Sequence, residues 1–423
     1  MTNSFNPIQN SSTVVIIGGG PAGSSCAIKL RQLSQKMGKN LRVVLYEGKR
    51  FDKKSYYNQC LGVLSPPIDK ILEEQLHVPF PIDIIHKKIE GYHLHTTNNV
   101  LHLGGEHDPS FACRRVEFDN YLFEKAKEAG AEVVHARVTE LDFDDDGVMV
   151  FSESNNIKAD VVVGAFGLDD GLAKAFERLT PYRQSDFLFS VVTKIHPGQE
   201  KVLEFGNYIH AFLPSSLPHV EFGAITPKGN HLTINIAGKK VDANMLHRFL
   251  NLPNVRKVLP NNVEEILPSL LYFKGKFPTL PAKGIIGDRY IMVGDTAGLN
   301  RPFKGKGINS AVFTGIKAAE VIVKNGYSKE SFNEYLESCK ELTEDIPYGK
   351  VLRFATNVCS RLGFLDSVCK TAQDEPRIKK AFFNIVSGQE TYKKTWQETR
   401  SLRLFFKLGF NAIASKFKKK RGK

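Results

Sequence analysis

The feature that most restricts this chain is Gly18-Gly19-Gly20-Pro21-Ala22-Gly23, set between the apolar run Thr13–Ile17 and a helix-like segment that starts at Pro21. TVVII is short, rich in β-branched residues and bounded by glycines, and it reads as a buried parallel strand. From Pro21 to about Lys36, the residues Ala22, Cys26, Leu30 and Leu33 fall on one helical stripe, and Arg42–Tyr46 forms the next strand. Strand, glycine turn, helix and strand within about 35 residues form the β-α-β unit of a dinucleotide-binding fold. Gly18 permits the tight turn, Gly20 lets the backbone approach a pyrophosphate, and Gly23 lets helix and strand pack closely. The helix start at Pro21-Ala22 offers free N–H groups and a partial positive charge to phosphates. Glu47 closes the second strand, where a carboxylate meets ribose hydroxyls and disfavours a 2′-phosphate. A glycine turn without a ligand is the competing reading, and the agreement of strand, loop, helix and acidic residue weighs against it. These features fit NAD and FAD equally.

The second half of the chain separates the two. Val293-Gly294-Asp295-Thr296-Ala297-Gly298, followed by Pro302, Gly305, Gly307 and Asn309, resembles the second FAD fingerprint of the p-hydroxybenzoate-hydroxylase-fold flavoproteins. The resemblance implies that Asp295 holds the ribityl chain. It also implies that Gly305, Gly307, Ile308 and Asn309 face the flavin N1/C2=O edge, where helix N–H groups stabilise the negative charge of reduced flavin. Arg115-Val116-Glu117-Phe118-Asp119, with Leu122 and Ala126, is similar to a further segment of that family whose Arg contacts FAD, so Arg115 joins the cofactor-binding set. In Val163-Gly164-Ala165-Phe166-Gly167 the family pattern has Asp where this chain has Phe166. That departure weighs against direct reduction by NADPH.

Within this fold the chain resembles the geranylgeranyl reductase family. Asn58-Gln59-Cys60-Leu61-Gly62-Val63-Leu64-Ser65-Pro66 is similar to the family's cysteine- and glycine-containing loop near the flavin, matching at Cys60, Gly62 and Pro66. The family's aromatic Y-x-W-x-F-P strand is echoed in Ile209–Pro214 only by Pro214, so a different substrate wall is expected. The resemblance runs over roughly residues 13–325. It implies an FAD-dependent enzyme that delivers hydride from reduced flavin to a carbon–carbon double bond of a hydrophobic isoprenoid or lipid. The electron donor would be NAD(P)H or a redox protein. Cys60 is the one candidate catalytic residue, and an inert buried thiol is the competing reading. Two rivals stay open: a flavin monooxygenase using O₂ on a hydrophobic or aromatic substrate, and a flavin-bearing adaptor or redox sensor without turnover. The only tryptophan is Trp396, which argues against a tryptophan-halogenase-type flavoenzyme, and no G-x-S-x-G elbow occurs.

These readings set the expected architecture. The fold class is α/β. A Rossmann-type FAD-binding domain spans 1–180, with 285–327 returning to it. An inserted antiparallel β-sheet substrate domain spans 181–284, and a C-terminal helical region with a basic tail spans 328–423. In the inserted sheet, FLFSVVTKI, KVLEFG (201–206), VEFGAI and HLTINIAG all read as strands, and Gly307 to Asn325 reads as a long helix. Six scattered cysteines without a C-x-x-C pair point to a reducing compartment rather than to zinc or disulfides. His93-x-His95 could share one strand face, but nothing nearby completes a metal set, so no metal is expected. The net charge is +13, yet eleven of the 58 Lys and Arg residues lie from Lys393 onward against one acid, Glu398. Leu402, Phe406, Phe410, Ile413 and Phe417 share one side of a helix, with Arg400, Arg403 and Lys407 beside them. This suits an anionic membrane surface, with a helix packed on the protein's own core as the alternative. No aromatic residues interleave with the terminal basic run, so nucleic acid is not expected. No spanning helix or secretory signal is read, so the expected location is cytoplasmic and peripheral to a membrane.

Overall fold

The computed structural model describes residues 8–51, 60–104, 108–301 and 307–399. Its centre is a six-stranded sheet in the order Ile286–Gly287, Tyr290–Met292, Val161–Gly164, Thr13–Ile17, Arg42–Tyr46 and Glu132–Val134. All neighbours run parallel except the short Ile286–Gly287 hairpin strand. Val14–Ile17 and Val161–Gly164 are wholly buried, as parallel strands covered on both faces require. Helices Pro21–Lys36, Arg115–Glu128 and Ile308–Asn325 pack on this sheet. Thr13–Ile17 lies between the two directions in which the sheet is wound. Its carboxyl end is therefore the crevice where open α/β sheets bind ligands.

A seven-stranded sheet stands beside it. Its order is Phe273–Pro278, Phe187–Ile195, His231–Gly238, Val220–Lys228, Tyr208–Phe212, Gly91–His95 and Val100–Gly104. Two expectations need correction here. The last two strands come from before residue 181, and Tyr208–Phe212 pairs with Gly91–His95 in parallel, so the sheet is not purely antiparallel. KVLEFG is not a strand: Gln199–Glu204 is a short helix between Gly198 and Gly206, both at positive φ. Only Val202 of that helix is buried, so it has one inward position per turn rather than an alternating face.

Beyond the Ile308–Asn325 helix the chain is helical to Thr399, with Lys340–Arg361, Leu365–Asp374, Pro376–Ser387 and Tyr392–Thr399 as the main pieces. Gly388 ends the third of these in the left-handed conformation. Leu365, Cys369, Ile378, Phe383 and Val386 pack against Tyr92, Leu94, Leu101, Ile209, Ala211 and Phe222 of the seven-stranded sheet. Asp366 fixes the contact: Thr96 Oγ1 donates to Oδ1 at 2.6 Å and Asn98 N at 2.9 Å. Among the described residues no helix is long and apolar enough to cross a membrane.

Candidate active site

One cavity of about 1270 Å³ lies between the two sheets and the C-terminal helices. It exceeds the roughly 300–1,000 Å³ of an ordinary small-ligand pocket, so a dinucleotide and a second molecule fit together.

At one end are Gly18, Gly20, Pro21, Ala22 and Glu47. Gly18 has φ +109°, and a Cβ on it would run into the Ala165 carbonyl, so only glycine fits. Gly20 has an ordinary φ of −69°, and a Cβ there would meet no protein atom within 4 Å. That open side is the cavity. Gly20 caps the Pro21–Lys36 helix without any side-chain hydrogen bond, so the first-turn N–H groups of Ala22 and Gly23 form an anion cradle. Glu47 is fixed from two sides: Gly19 N donates to Oε2 at 2.9 Å and Lys49 N to Oε1 at 2.8 Å. This end therefore fits the ADP half of a dinucleotide.

The middle of the cavity gathers Cys60, Arg115, Asp295, Gly307, Ile308 and Asn309. Burial pushes the Asp295 carboxyl up, against the Asn300 Nδ2 bond at 2.7 Å and the charge of Arg115. Arg115 pairs with the fully buried Asp119 at 2.9 Å. Burial works against the Arg115 charge, and the charge and hydrogen bond of Asp119 together with Cys60 and Asp295 offset it, so the guanidinium is held above its ordinary value. Its Nη1 lies 3.9 Å from Cys60 Sγ, which also accepts Gly62 N at 3.2 Å. The Ile308–Asn325 helix starts after Gly307 with no side-chain cap, and its first residues line the cavity. Asn309 Nδ2 donates to Ser65 O at 2.9 Å, tying that helix start to the Cys60 segment. Gly305 lies outside the described residues, as do Asn58, Gln59 and Pro302.

Two features at the cavity differ from a plain family pattern. Phe166 stacks on Phe176 with centroids 5.5 Å apart and meets Tyr182 edge-on, so its ring, backed by two buried rings, lines the cavity where the family pattern has a carboxylate. The third wall was not named from sequence. It is built from Tyr92, Ile209, Ala211, Phe222 and Ala224 of the seven-stranded sheet, facing Leu342, Ile346 and Val386 from the helices. Strand alternation places these residues on one face, but the strand order that joins them is not a local signal.

His93 and His95 lie on the opposite face, where they meet His102 and His210. His95 Nε2 is 2.9 Å from His210 Nδ1, and the His93 and His102 rings are 4.4 Å apart. Among the described residues no group of three or more ligating side chains could hold a metal ion.

Residues 12–169 match the family model for pyridine nucleotide-disulphide oxidoreductases, a span from the first strand to just beyond Phe166. Together with the two-part cavity, this defines the class: the chain is an FAD-dependent oxidoreductase. Its relatives narrow the setting. It is 27% identical over 351 residues to digeranylgeranylglycerophospholipid reductase 3 of Methanosphaera stadtmanae, covering 77% of this chain and 81% of that protein. It is 25% identical over 373 residues to digeranylgeranylglycerophospholipid reductase of Methanococcus vannielii, covering 82% and 88%. A solved geranylgeranyl bacteriochlorophyll reductase-like protein of Thermoplasma acidophilum shares the fold, with TM-score 0.67, 21% identity and coverage of 94% and 96%. An enzyme class displaces the non-catalytic adaptor.

Proposed function

We propose that this protein reduces carbon–carbon double bonds of an isoprenoid or prenyl-lipid substrate. The observation that carries this is the apolar wall of Tyr92, Ile209, Ala211, Phe222 and Ala224, which continues directly from the Cys60–Asn309 part of the cavity. FAD, when bound and reduced, supplies the hydride. Ala22 and Gly23 would hold its pyrophosphate, Glu47 its ribose, Asp295 its ribityl chain, and the N–H groups of Ile308 and Asn309 its N1/C2=O edge. Arg115 would hold Cys60 and Asp119 in place at the flavin. Among the described residues Cys60 Sγ would deliver the proton to the second carbon, and the apolar wall would exclude water from the bond being reduced.

The donor is NAD(P)H bound transiently or a redox protein, in keeping with Phe166 at the carboxylate position. The protein would sit on an anionic membrane through residues 400–423, which lie outside the described residues. The helix before them, Tyr392–Thr399, carries Trp396 at 41% exposure, a side chain suited to the headgroup level.

The test is anaerobic. Protein with photoreduced FAD is mixed with prenyl lipids, and flavin reoxidation is followed with mass spectrometry of the lipid. The expected result is stoichiometric reoxidation with a gain of H₂ per reduced bond. Reduced protein that leaves every prenyl lipid unchanged, yet hydroxylates substrate once O₂ is admitted, would establish the monooxygenase instead.

A further inference from the structure

The strand order that builds the cavity wall also gives it two characters. Ala224, Phe222, Ala211, Ile209 and Tyr92 come from Val220–Lys228, Tyr208–Phe212 and Gly91–His95, and all of them line the cavity. On the other side of Val220–Lys228 the sheet continues through His231–Gly238 and Phe187–Ile195. There Asn235 stands between Ala224 and Val192, and Ser190 lies two residues before Val192 on the same face. Asn235, Val192 and Ser190 line the cavity too. Across the strands the wall therefore passes from apolar to polar, and its polar side is made of an amide and a hydroxyl.

Asn235 is out of place on this wall unless something else meets it. It is 7% exposed, and its Oδ1 has no hydrogen-bond partner among the described residues. Of the buried side-chain atoms in that condition among the described residues, it alone belongs to a residue that lines the cavity. Its cross-strand neighbours Val192 and Ala224 carry no polar side-chain atom that could satisfy it. A buried amide oxygen left unpaired costs stability, and a leucine of nearly the same shape would avoid that cost. Ser190 is its diagonal neighbour, at the roughly 7–8 Å spacing that lets one small group touch both side chains. On the edge strand Gly275 pairs with Ser190, and a Cβ there would lie 2.9 Å from Ser190 Oγ, so the glycine leaves that hydroxyl uncovered. An amide offers two donors and an acceptor, and a hydroxyl both donates and accepts. A ligand hydroxyl can therefore pair with Asn235 and Ser190 at once.

We propose that Asn235 is the specificity-determining residue of this wall and that, with Ser190, it binds an uncharged hydroxyl group of the substrate, whose apolar chain then crosses the sheet over Ala224, Ala211 and Tyr92. The inference rests on reading the cavity as the site of a prenyl chain. It adds the neutral hydrogen-bonding group that such a chain carries and the side of the wall on which that group lies.

The test reads binding rather than turnover. Full-length, FAD-loaded, oxidised protein is titrated with geranylgeraniol and with the hydrocarbon that has a methyl group in place of its hydroxyl, following the flavin absorbance. The ratio of the two affinities is compared between wild type and Asn235→Leu, so that differences in solubility cancel. The alcohol should lose about tenfold or more of its advantage in Asn235→Leu, and a smaller part of it in Ser190→Ala. Asn235→Leu should keep its FAD and melt no lower than wild type, because it removes a polar group that has no partner in the chain. Asn235→Val, apolar and strand-favouring, keeps the test open if leucine is not accommodated; FAD content reports folding. A ratio unchanged in both Asn235 variants would overturn the site, and a lower melting temperature beside it would mark the amide as a structural group. Binding of neither compound would overturn the reading of the cavity on which the site rests. Protein that shows the Asn235-dependent preference but reduces no double bond would sink the reductase proposal and leave this site standing. Protein that reduces double bonds while the ratio ignores Asn235 would do the reverse.

Discussion

Arg353 holds Glu221 with two arms of its guanidinium, Nε at 2.6 Å from Oε2 and Nη2 at 2.7 Å from Oε1, and both side chains are less than a fifth exposed. The pair ties the Lys340–Arg361 helix to the strand whose next residue, Phe222, lines the cavity. Arg353→Ala would leave the Glu221 carboxylate in a poorly solvated place. It should cost about 2–4 kcal/mol, read as a lower urea midpoint. The double variant Arg353→Met with Glu221→Met should recover most of that loss, because two apolar chains of similar size replace the pair. A single variant as stable as wild type would show that water takes over the role of Arg353.

The glycine loop yields a prediction that separates folding from cofactor binding. Gly18 is at positive φ against the Ala165 carbonyl, so Gly18→Ala should lower stability even without cofactor, by about 2 kcal/mol or more. Gly20 faces only the cavity. Gly20→Ala should therefore leave apoprotein stability within about 1 kcal/mol. It should still weaken FAD binding severalfold or more, because the methyl group stands where the pyrophosphate must approach. Thermal melts of the apoproteins and fluorescence titration with FAD would decide. Equal FAD affinity in Gly20→Ala would place the pyrophosphate elsewhere.

Stability should fall on mild acidification. Burial holds His95 at about 4, and His210 and His231 at about 3. The unfolded chain takes up these protons below its ordinary value of about 6.5 while the folded chain does not. Stability is therefore complete above that pH and is lost as pH falls from about 6.5 toward 4, by up to about 1.4 kcal/mol per pH unit for each histidine. Urea unfolding at a series of pH values should show the slope, and His210→Phe should make it shallower. A midpoint that does not move between neutral pH and pH about 4.5 would mean that water reaches these rings in the folded state.

What the sequence discloses of this molecule follows from how local each feature is. Val14–Ile17, Val43–Tyr46 and Val161–Gly164 are continuous apolar runs because parallel strands are covered on both faces, so each declares itself alone. The Gly18 turn and the Pro21 helix likewise need only their own residues. Residues 201–206 misled because six residues with mixed polarity fit either period. The wall of Tyr92, Ile209, Ala211 and Phe222 was hidden for a different reason. It exists only because Gly91–His95 pairs in parallel with Tyr208–Phe212, a strand from far along the chain.

The wall itself can be narrowed without touching the cofactor end. Ala211 and Ala224 sit side by side on adjacent strands and both line the cavity. Ala211→Phe would project a ring into the space beside Phe222 while leaving Gly20, Glu47 and Asp295 unaltered. FAD content should match wild type. The affinity for a long prenyl chain should drop about tenfold or more, since the apolar area that the chain buries is worth roughly 25 cal/mol per Å². A short prenyl chain that does not reach the ring should lose less. Titration of oxidised protein with prenyl alcohols of increasing length gives the comparison directly. Equal losses for short and long chains would mean that the ring obstructs the mouth of the cavity, and loss of FAD would mean that the flavin occupies the space assigned to the substrate.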